Sequence, residues 1–476
     1  MSLESHTPQR ALLWPELIEQ IATAVSEPSR LYLVGGVVRD ALRGYPIHDI
    51  DLATPDDGLQ VARQIANSLN GAYYPVDPER QTGRAILSAP EGHVVVDVAS
   101  FRGPDLLADL TGRDFTINAM AVQLDELEML IDPLGGEADL FDRKLLQQCN
   151  PRSISSDPIR AFRAVRMSLQ FRLRMSPETR EAARAVATAL IDETGALYQP
   201  ERARDELFKI LGGNNPSGAL RLMDSLGLLP ALTPFPPLDS TELDALFTLV
   251  EITNALLTVI SPKRSDDTAA DILLGVAVIV LDRFRTQLQE HVSQELANER
   301  SRAQLLLLAS FTPPTAASGQ AWAERLRLSN AERKMLDQVF ASREIQFPPQ
   351  GWWQDRDRAI YRYYCKFGES GVEAVLLELA RYLADHRFTI DAKEWGKLLD
   401  EVVSPLLEGF FRRYQEVVSP PPLLNGNDLT ESLGLQPGPR VGKILDVLIE
   451  EQAAGTIRDK KQALRLAKRL LEQYNQ

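Results

Sequence analysis

Hydrophobic and polar positions follow two rhythms along this chain. Between Leu31 and Ala99 the period is short. Leu31–Val34 is an apolar run closed by Gly35 and Gly36, and a second alternation carries Asp49 and Asp51 after a brief amphipathic stretch over Val37–Leu42. Further runs occupy Ala72–Val76, Arg84–Leu87 and His93–Ala99, separated by Asp-Pro, Gly and Pro-Glu-Gly punctuation. Period two predicts strands, and the 3.6 rhythm of residues 57–69 predicts one amphipathic helix among them. Residues 1–30, with Leu12, Leu13, Leu17, Ile18, Ile21 and Ala22 at helical spacing, read as a helical lead-in. From about residue 150 the helical rhythm takes over. It is clear in Ile159–Phe171 and in Pro200–Leu211, which has proline in its first turn, an early Glu201 and a late Lys209. It continues through Leu220–Leu229. Residues 231–240 read as a linker, and residues 241–415 as long helices broken at 261–268, 311–319 and 347–355. Asn425–Leu471 reads as short helices punctuated by Gly426, Gly438 and Gly442. The pattern predicts an α+β protein: strands mixed with helices up to about residue 150, then an all-α remainder.

Composition narrows the class. At 476 residues the chain exceeds one core, and two to four domains are expected. Two cysteines, Cys149 and Cys365, make neither a disulfide framework nor a metal-ligand spacing, which suits a reducing cytoplasm. The start, MSLESHTPQR, lacks the order of a secretory leader. The longest apolar run, Ile272–Leu281, is too short to cross a bilayer and reads as a buried helix, so no membrane partner is expected. A net charge of −14 excludes an indiscriminate polyanion binder. Yet arginines crowd residues 151–184, and Arg458, Lys460, Lys461, Arg465, Lys468 and Arg469 crowd the end. Two basic surfaces on an acidic protein suit a specific nucleic-acid contact. For the C-terminal patch alone, a solvated helix face is an equal reading.

The chemistry starts at Asp49 and Asp51. On a strand they share a face. Side-by-side carboxylates repel unless a cation sits between them, and hard oxygen ligands suit magnesium. Gly35 and Gly36, ahead of a helix start, let backbone N–H groups approach a phosphate. Asp97, alternating with Val96 and Val98, is an exposed strand polar or, beside this pair, a third metal-site carboxylate. Arg113 and Asp114 are a surface ion pair or, respectively, a triphosphate contact and an acceptor for a sugar hydroxyl. Asp157 and Arg160, one turn apart on a predicted helix, are a salt bridge or a reader of a base edge. Trp352 and Trp353 read as packing residues, with base stacking as the alternative.

The motifs GGVVRD, DIDLAT, VDVASFR, GRDFTINAMA, DPLGGEADLFDRKL and DPIRAFRAVR follow one another in order over residues 31–210. In that order they resemble the class II tRNA nucleotidyltransferase and bacterial poly(A) polymerase family, within the polymerase-β-like nucleotidyltransferases. The resemblance implies a catalytic head at 31–145 after the lead-in at 1–30. It also implies a helical neck with a base-reading site at 146–230, a helical body at 231–415 and an RNA-binding tail at 416–476. It makes Asp49 and Asp51 the ligands of a two-metal magnesium site, with Asp97 among the catalytic acids. Gly35, Gly36, Arg39 and Asp40 would form or brace the triphosphate site. Arg113, Asp114 and Asn118 would read phosphate and ribose, and Asp157 and Arg160, with Arg163 in the nucleotide-binding set, would read the base. Residues 132–145 resemble the hinge between head and neck. Arg440 and Lys443, in a GPRVGK segment ahead of a helix, are a candidate tRNA contact or a helix-packing turn.

The implied reaction is template-independent transfer from CTP or ATP to the 3′ end of tRNA. Two positions depart from the family pattern: Gly112 stands where arginine is usual, and Ser156 where glutamate is common. Gly103–Gly112 is also shorter than the polar loop of CCA-adding relatives and resembles enzymes that add only two cytidines, leaving the terminal adenosine to a sister enzyme. The alternatives are a poly(A) polymerase and a non-catalytic RNA-binding module, the latter opposed by the intact Asp49 and Asp51.

Overall fold

Ile50 and Leu52 point one way from their strand and Asp49 and Asp51 the other, and the head is built around that alternation. The computed structural model describes residues 3–89, 92–262, 272–297, 300–316, 318–343, 347–386, 389, 391–436 and 438–474. By its contacts the chain divides into two units, residues 1–206 with 222–231, and residues 207–221 with 232–476, a coarser division than the five segments expected from the sequence.

The first unit holds an eight-stranded mixed sheet. Its strands are β1 (Ser5–His6), β2 (Tyr32–Val34), β3 (Asp49–Thr54), β4 (Ala72–Asp77), β5 (Thr82–Ala89), β6 (Gly92–Ser100), β7 (Ala121–Gln123) and β8 (Leu130–Ile131), in the order β1-β8-β7-β2-β3-β6-β5-β4. Only β3 and β6 run parallel; the other neighbours are antiparallel. Helices α1 (Glu16–Ala24), α2 (Gly36–Arg43) and α3 (Gly58–Ser68) contribute to the main core, where Ile18, Ile21, Val38, Ala62 and Ile65 meet Leu33, Ile50, Leu52, Val96 and Val98. The opposite face is covered over only part of its width. Helix α4 (Leu106–Thr111) sets Leu106 and Leu110 against Val34, Ala53 and Ala121. Side chains facing that way from β4, at Ala72, Tyr74 and Val76, are exposed.

The lead-in is helical only from Glu16. Ser5–His6 instead pairs with Leu130–Ile131 as an edge strand, and Leu12 and Leu13 lie outside any helix. Pro8 and Pro15 oppose a continuous helix, and Pro15 stands at the N-cap of α1. Beyond the sheet come α5 (Gly136–Phe141), α6 (Ser153–Ser156), α7 (Ile159–Phe171), α8 (Pro177–Ala185) and α9 (Pro200–Leu211). A further helix spans Pro216–Ser225; Gly227, at φ 72°, follows it, and Leu229–Leu232 reaches into the expected linker.

The second unit is almost entirely helical. Helix Ser240–Ile260 opens with a capping box between Asp239 and Glu242 and packs against Arg302–Ser310 and Gly371–Asp385. By length and composition it matches a membrane span, but Phe247, Val250, Leu256 and Ile260 are buried in this unit. Ile272–Leu281 is helical as expected, although Ile279 is exposed. Trp352 is buried with its indole N–H on the Glu401 carbonyl, whereas Trp353 faces solvent. Helices Gly426–Leu433, Pro439–Ala453 and Lys460–Tyr474 share a core of Leu429, Ile444, Leu448, Ala463 and Ala467. Arg440 and Lys443 are exposed, but inside the first turns of Pro439–Ala453, not ahead of it; proline at the first helical position and Gly438 at the cap start the helix earlier.

Charge is also built into this unit's core. The fully buried Glu373 accepts two hydrogen bonds from the buried Arg302, at 2.7 and 3.0 Å. Burial pushes the Glu373 carboxyl up, but His291 and Arg302 bring it below the usual carboxylate range. A carboxyl depressed on folding stabilises the protein above its unfolded pKa, and that gain fades as pH falls through the folded value. Glu373→Ala should cost about 3–5 kcal/mol in urea denaturation because the buried Arg302 keeps only its longer contact to Glu369, at 3.7 Å, whereas the double variant Glu373→Met, Arg302→Met should cost much less.

Candidate active site

The acids of the sheet lie in a ladder. Asp51 on β3 is in register with Asp97 on β6, and Asp97 with Arg84 on β5. Asp49 and Asp51 are both exposed on the face away from the main core. Packing around the Asp51 carboxyl, reinforced by Asp97 and Asp49, holds it above the usual carboxylate range against the pull of Arg113. That charge balance leaves room for a cation. Two carboxylates on one strand, open to solvent, suit magnesium, which takes one or two carboxylates and completes its shell with water and phosphate oxygens.

Asp97, expected among the catalytic acids, has a partner of its own. Arg84 holds it with two parallel hydrogen bonds, Nε to Oδ1 at 2.8 Å and Nη2 to Oδ2 at 2.9 Å. Asp97 is thus a guanidinium-bound neighbour of the pair, in register with Asp51. Arg84 was missing from the expected site. The pairing of Ala89 with Gly92 sets the hairpin register, and counting five residues back along one strand and five forward along the other brings Arg84 opposite Asp97.

Gly35 links the acids to the cradle. At φ 81° it caps α2, and a Cβ there would stand 2.9 Å from Arg113 Nη1 and 3.7 Å from Asp51 Oδ2. A side chain would therefore both strain the backbone and fill the gap between Arg113 and Asp51. Gly36 begins α2. Arg39 and Asp40 brace this corner. Arg39 is buried, donates to Asn118 Oδ1 at 2.5 Å and to both Asp40 oxygens at 2.9 and 2.8 Å, and lies over the Phe171 ring. Burial lowers its guanidinium below the ordinary arginine range, with Asp40 opposing. Asn118 in turn donates to Asp114 Oδ1 at 3.0 Å. Burial pushes Asp114 up, but Arg163 at 2.7 Å, Asn118 and the Phe115 N–H together hold it below the usual range.

Arg113 does not pair with its neighbour Asp114. Its Nε and Nη2 bind the buried Asp109 at 3.1 and 2.9 Å, which leaves Nη1 toward Gly35 and Asp51. Asp109 also accepts from the Arg102 N–H. It sits on α4, so the short segment Gly103–Gly112 is a working part: Asp105 caps it, Leu106 and Leu110 anchor it, and Asp109 aims Arg113. Gly112 is its C-cap, where a Cβ would lie 3.3 Å from the Ala108 carbonyl.

The two residues expected to read the base, Asp157 and Arg160, do not share a helix. Asp157 is not on a helix: its backbone is extended (φ −145°, ψ 92°) just before α7, and Pro158 begins the turn that leads in. Arg160 Nε is 3.8 Å from Asp157 Oδ2. Instead Arg202, on α9, donates Nη1 to Oδ1 at 3.2 Å and Nη2 to Oδ2 at 2.6 Å. Arg160 is tied to Ser153 Oγ at 2.8 Å and to the Gly112, Arg113 and Ser153 carbonyls. Ser156, where an acid was expected, donates to the Ser153 carbonyl. Arg202 carried no local signal, since its partner is 45 residues away. Arg440 and Lys443 belong to the second unit.

A two-acid strand, a glycine-capped helix and a ring of arginines on a mixed sheet define a nucleotidyltransferase head. The match to known families agrees: residues 31–146 fit the poly A polymerase head domain, and residues 172–238 the probable RNA and SrmB-binding site of polymerase A. An A-adding tRNA nucleotidyltransferase of Deinococcus radiodurans is 31% identical over 466 residues, covering 94% of this chain and 96% of that one. A CC-adding tRNA nucleotidyltransferase of Geobacter sulfurreducens is 29% identical, covering 92% of each. The chain belongs to the tRNA nucleotidyltransferase family. Among solved structures, a CCA-adding enzyme in complex with CTP superposes with a TM-score of 0.65 at 21% identity, over 97% of this chain and 99% of that one. The Thermotoga maritima CCA-adding enzyme complexed with tRNA gives 0.60 at 21%, over 97% of each. These likenesses show that the chain shares the fold of CCA-adding enzymes.

Proposed function

We propose that this chain adds two cytidines to the 3′ end of tRNA, one at a time and without a nucleic-acid template, and that a separate enzyme supplies the terminal adenosine. The observation that carries the subtype is the link from β6 to Arg113. It is short, capped, anchored in the core through Leu106 and Leu110, and committed to Arg113 through Asp109. Such a link lacks the free length to act as a mobile element that re-forms the pocket for a second base.

In this reading Asp49 and Asp51 hold magnesium, which when bound lowers the pKa of the 3′-hydroxyl and neutralises charge on the α-phosphate and leaving pyrophosphate. The chain supplies position and charge. Gly35 and the N-terminus of α2 admit the triphosphate, Arg113 faces it, and Asp114, held ionised by Arg163, accepts from a ribose hydroxyl. Asp157 accepts from the exocyclic amine of the base and Arg160 donates to its ring nitrogen. Arg39, Asp40 and Asn118 keep these groups aligned.

Incubating the protein with each labelled nucleoside triphosphate singly, on tRNA ending before CCA and on tRNA ending in CC, tests the proposal. The expected result is two additions with CTP on the first substrate and none with ATP on the second. A single adenosine added to the CC end, or a long ATP-dependent tail, would overturn it.

A further inference from the structure

The covered and open parts of the sheet face lie on opposite sides of the two acids. Toward β2 and β7 the face carries α4, Gly35 and Arg113, the proposed triphosphate side. Toward β6, β5 and β4 it is open. Two in-register rows cross this open part: Asp51, Asp97, Arg84 and Tyr74, then Asp49, Val95, Ile86 and Ala72. Tyr74 and Val76 are 53% and 49% exposed, among the most exposed large apolar side chains described. Tyr73, on the other face of the strand, is packed into the main core, so the exposure of Tyr74 is not edge fraying. Arg84 spends Nε and Nη2 on Asp97, and Nη1 has no hydrogen-bond partner among the described residues.

Phosphoryl transfer places the attacking and leaving oxygens roughly in line. With the pyrophosphate on the β2 side of Asp51, the RNA carrying the attacking hydroxyl must approach from the β6 side. Tyr74 lies three strands from Asp51, at about 4.8 Å per strand. That span reaches past the terminal nucleotide to the unpaired ones before it. An exposed aromatic ring beside a guanidinium is the pairing that single-stranded RNA uses, base on ring and phosphate on cation. We propose that the open sheet face of β4, β5 and β6 is the docking site for the unpaired 3′ end of the RNA, with Tyr74 stacking a base and Arg84 facing the backbone. The inference rests on the transferase reading above and extends it to residues outside the nucleotide site.

The test uses the full chain and a tRNA transcript that ends in the first cytidine of the CCA terminus and carries 4-thiouridine at the unpaired position before it. Expected is a crosslink to residues 72–77. Tyr74→Ala should raise the Kd for this RNA about tenfold, Tyr74→Phe should restore it, and the KM for CTP should not move. Binding is read without turnover, so the two readings separate. RNA affinity lost in Tyr74→Ala with no incorporation by the unaltered protein would sink the transferase reading and keep the surface. Unchanged RNA affinity, or a crosslink elsewhere, would overturn the surface. So would a dimer of the unaltered protein that Tyr74→Ala converts to monomer, since the face would then be a contact between copies.

Discussion

Replacing Asp49 or Asp51 by alanine is expected to lower nucleotide incorporation by about a thousandfold or more while tRNA binding, measured by filter retention, stays within about twofold. Both side chains point away from the main core, and Ile50 and Leu52 hold the strand from the other side. The substitutions remove charge at the reaction centre and little packing. Stability should even rise. The Asp51 carboxyl is held above its ordinary range by crowding and by Asp97 and Asp49. A carboxyl raised on folding costs nothing below its unfolded pKa, weighs increasingly against the fold as pH rises from there to the folded value, and costs its full share above it. At neutral pH, without magnesium, Asp51→Asn should therefore melt at or above the unaltered protein. Magnesium should raise the Tm of the unaltered protein and leave that of the variant where it is. Full activity in either alanine variant would remove the metal assignment.

The second large effect concerns base choice. Asp157→Ala should reduce kcat/KM for CTP by about a hundredfold, through loss of a charge-assisted hydrogen bond to the amine, and narrow the gap between CTP and UTP. Asp157 precedes α7 in extended backbone and pairs with a half-exposed Arg202, so its loss should move Tm little. Arg202→Ala is the informative partner. It leaves Asp157 in place but unheld, and should blur selectivity more than it slows CTP. A variant that loses rate equally for all four nucleotides would mean that Asp157 holds the neck together and does not read the base.

Periodicity was enough for the head because it has to bury one face of a sheet: the strands carrying Asp49, Asp51 and Asp97 lie where alternation predicted them, and the helices Ile159–Phe171 and Pro200–Leu211 match residue for residue. What stayed hidden was partnership. Asp97 looked available because nothing in its own strand says that Arg84 lies opposite. Asp157 and Arg160 do lie within ion-pair distance, at 3.8 Å, as i,i+3 spacing implies, but Pro158 takes Asp157 off the helix and Arg202 reaches it more closely from another element. Arg113 and Asp114 are adjacent in sequence and diverge in space, one bound to Asp109 and the other to Arg163. Ion pairs of this kind depend on tertiary register, which local pattern does not carry. The strand at Ser5–His6 was lost for a related reason, since two residues are too few to display a period.

If Asp157 reads the base as proposed, the grip of Arg202 on it bears on fidelity. A guanidinium presents N–H groups to a carboxylate much as the amine of cytosine would, so the neck carries its own decoy. An arriving base has to displace it, and every nucleotide meets the same entry barrier. A base that offers an amine recovers that loss on Asp157. Uracil offers a carbonyl at that position, recovers nothing, and leaves the decoy to close again. Selectivity then depends less on how tightly the right base is held than on how promptly the wrong one is evicted.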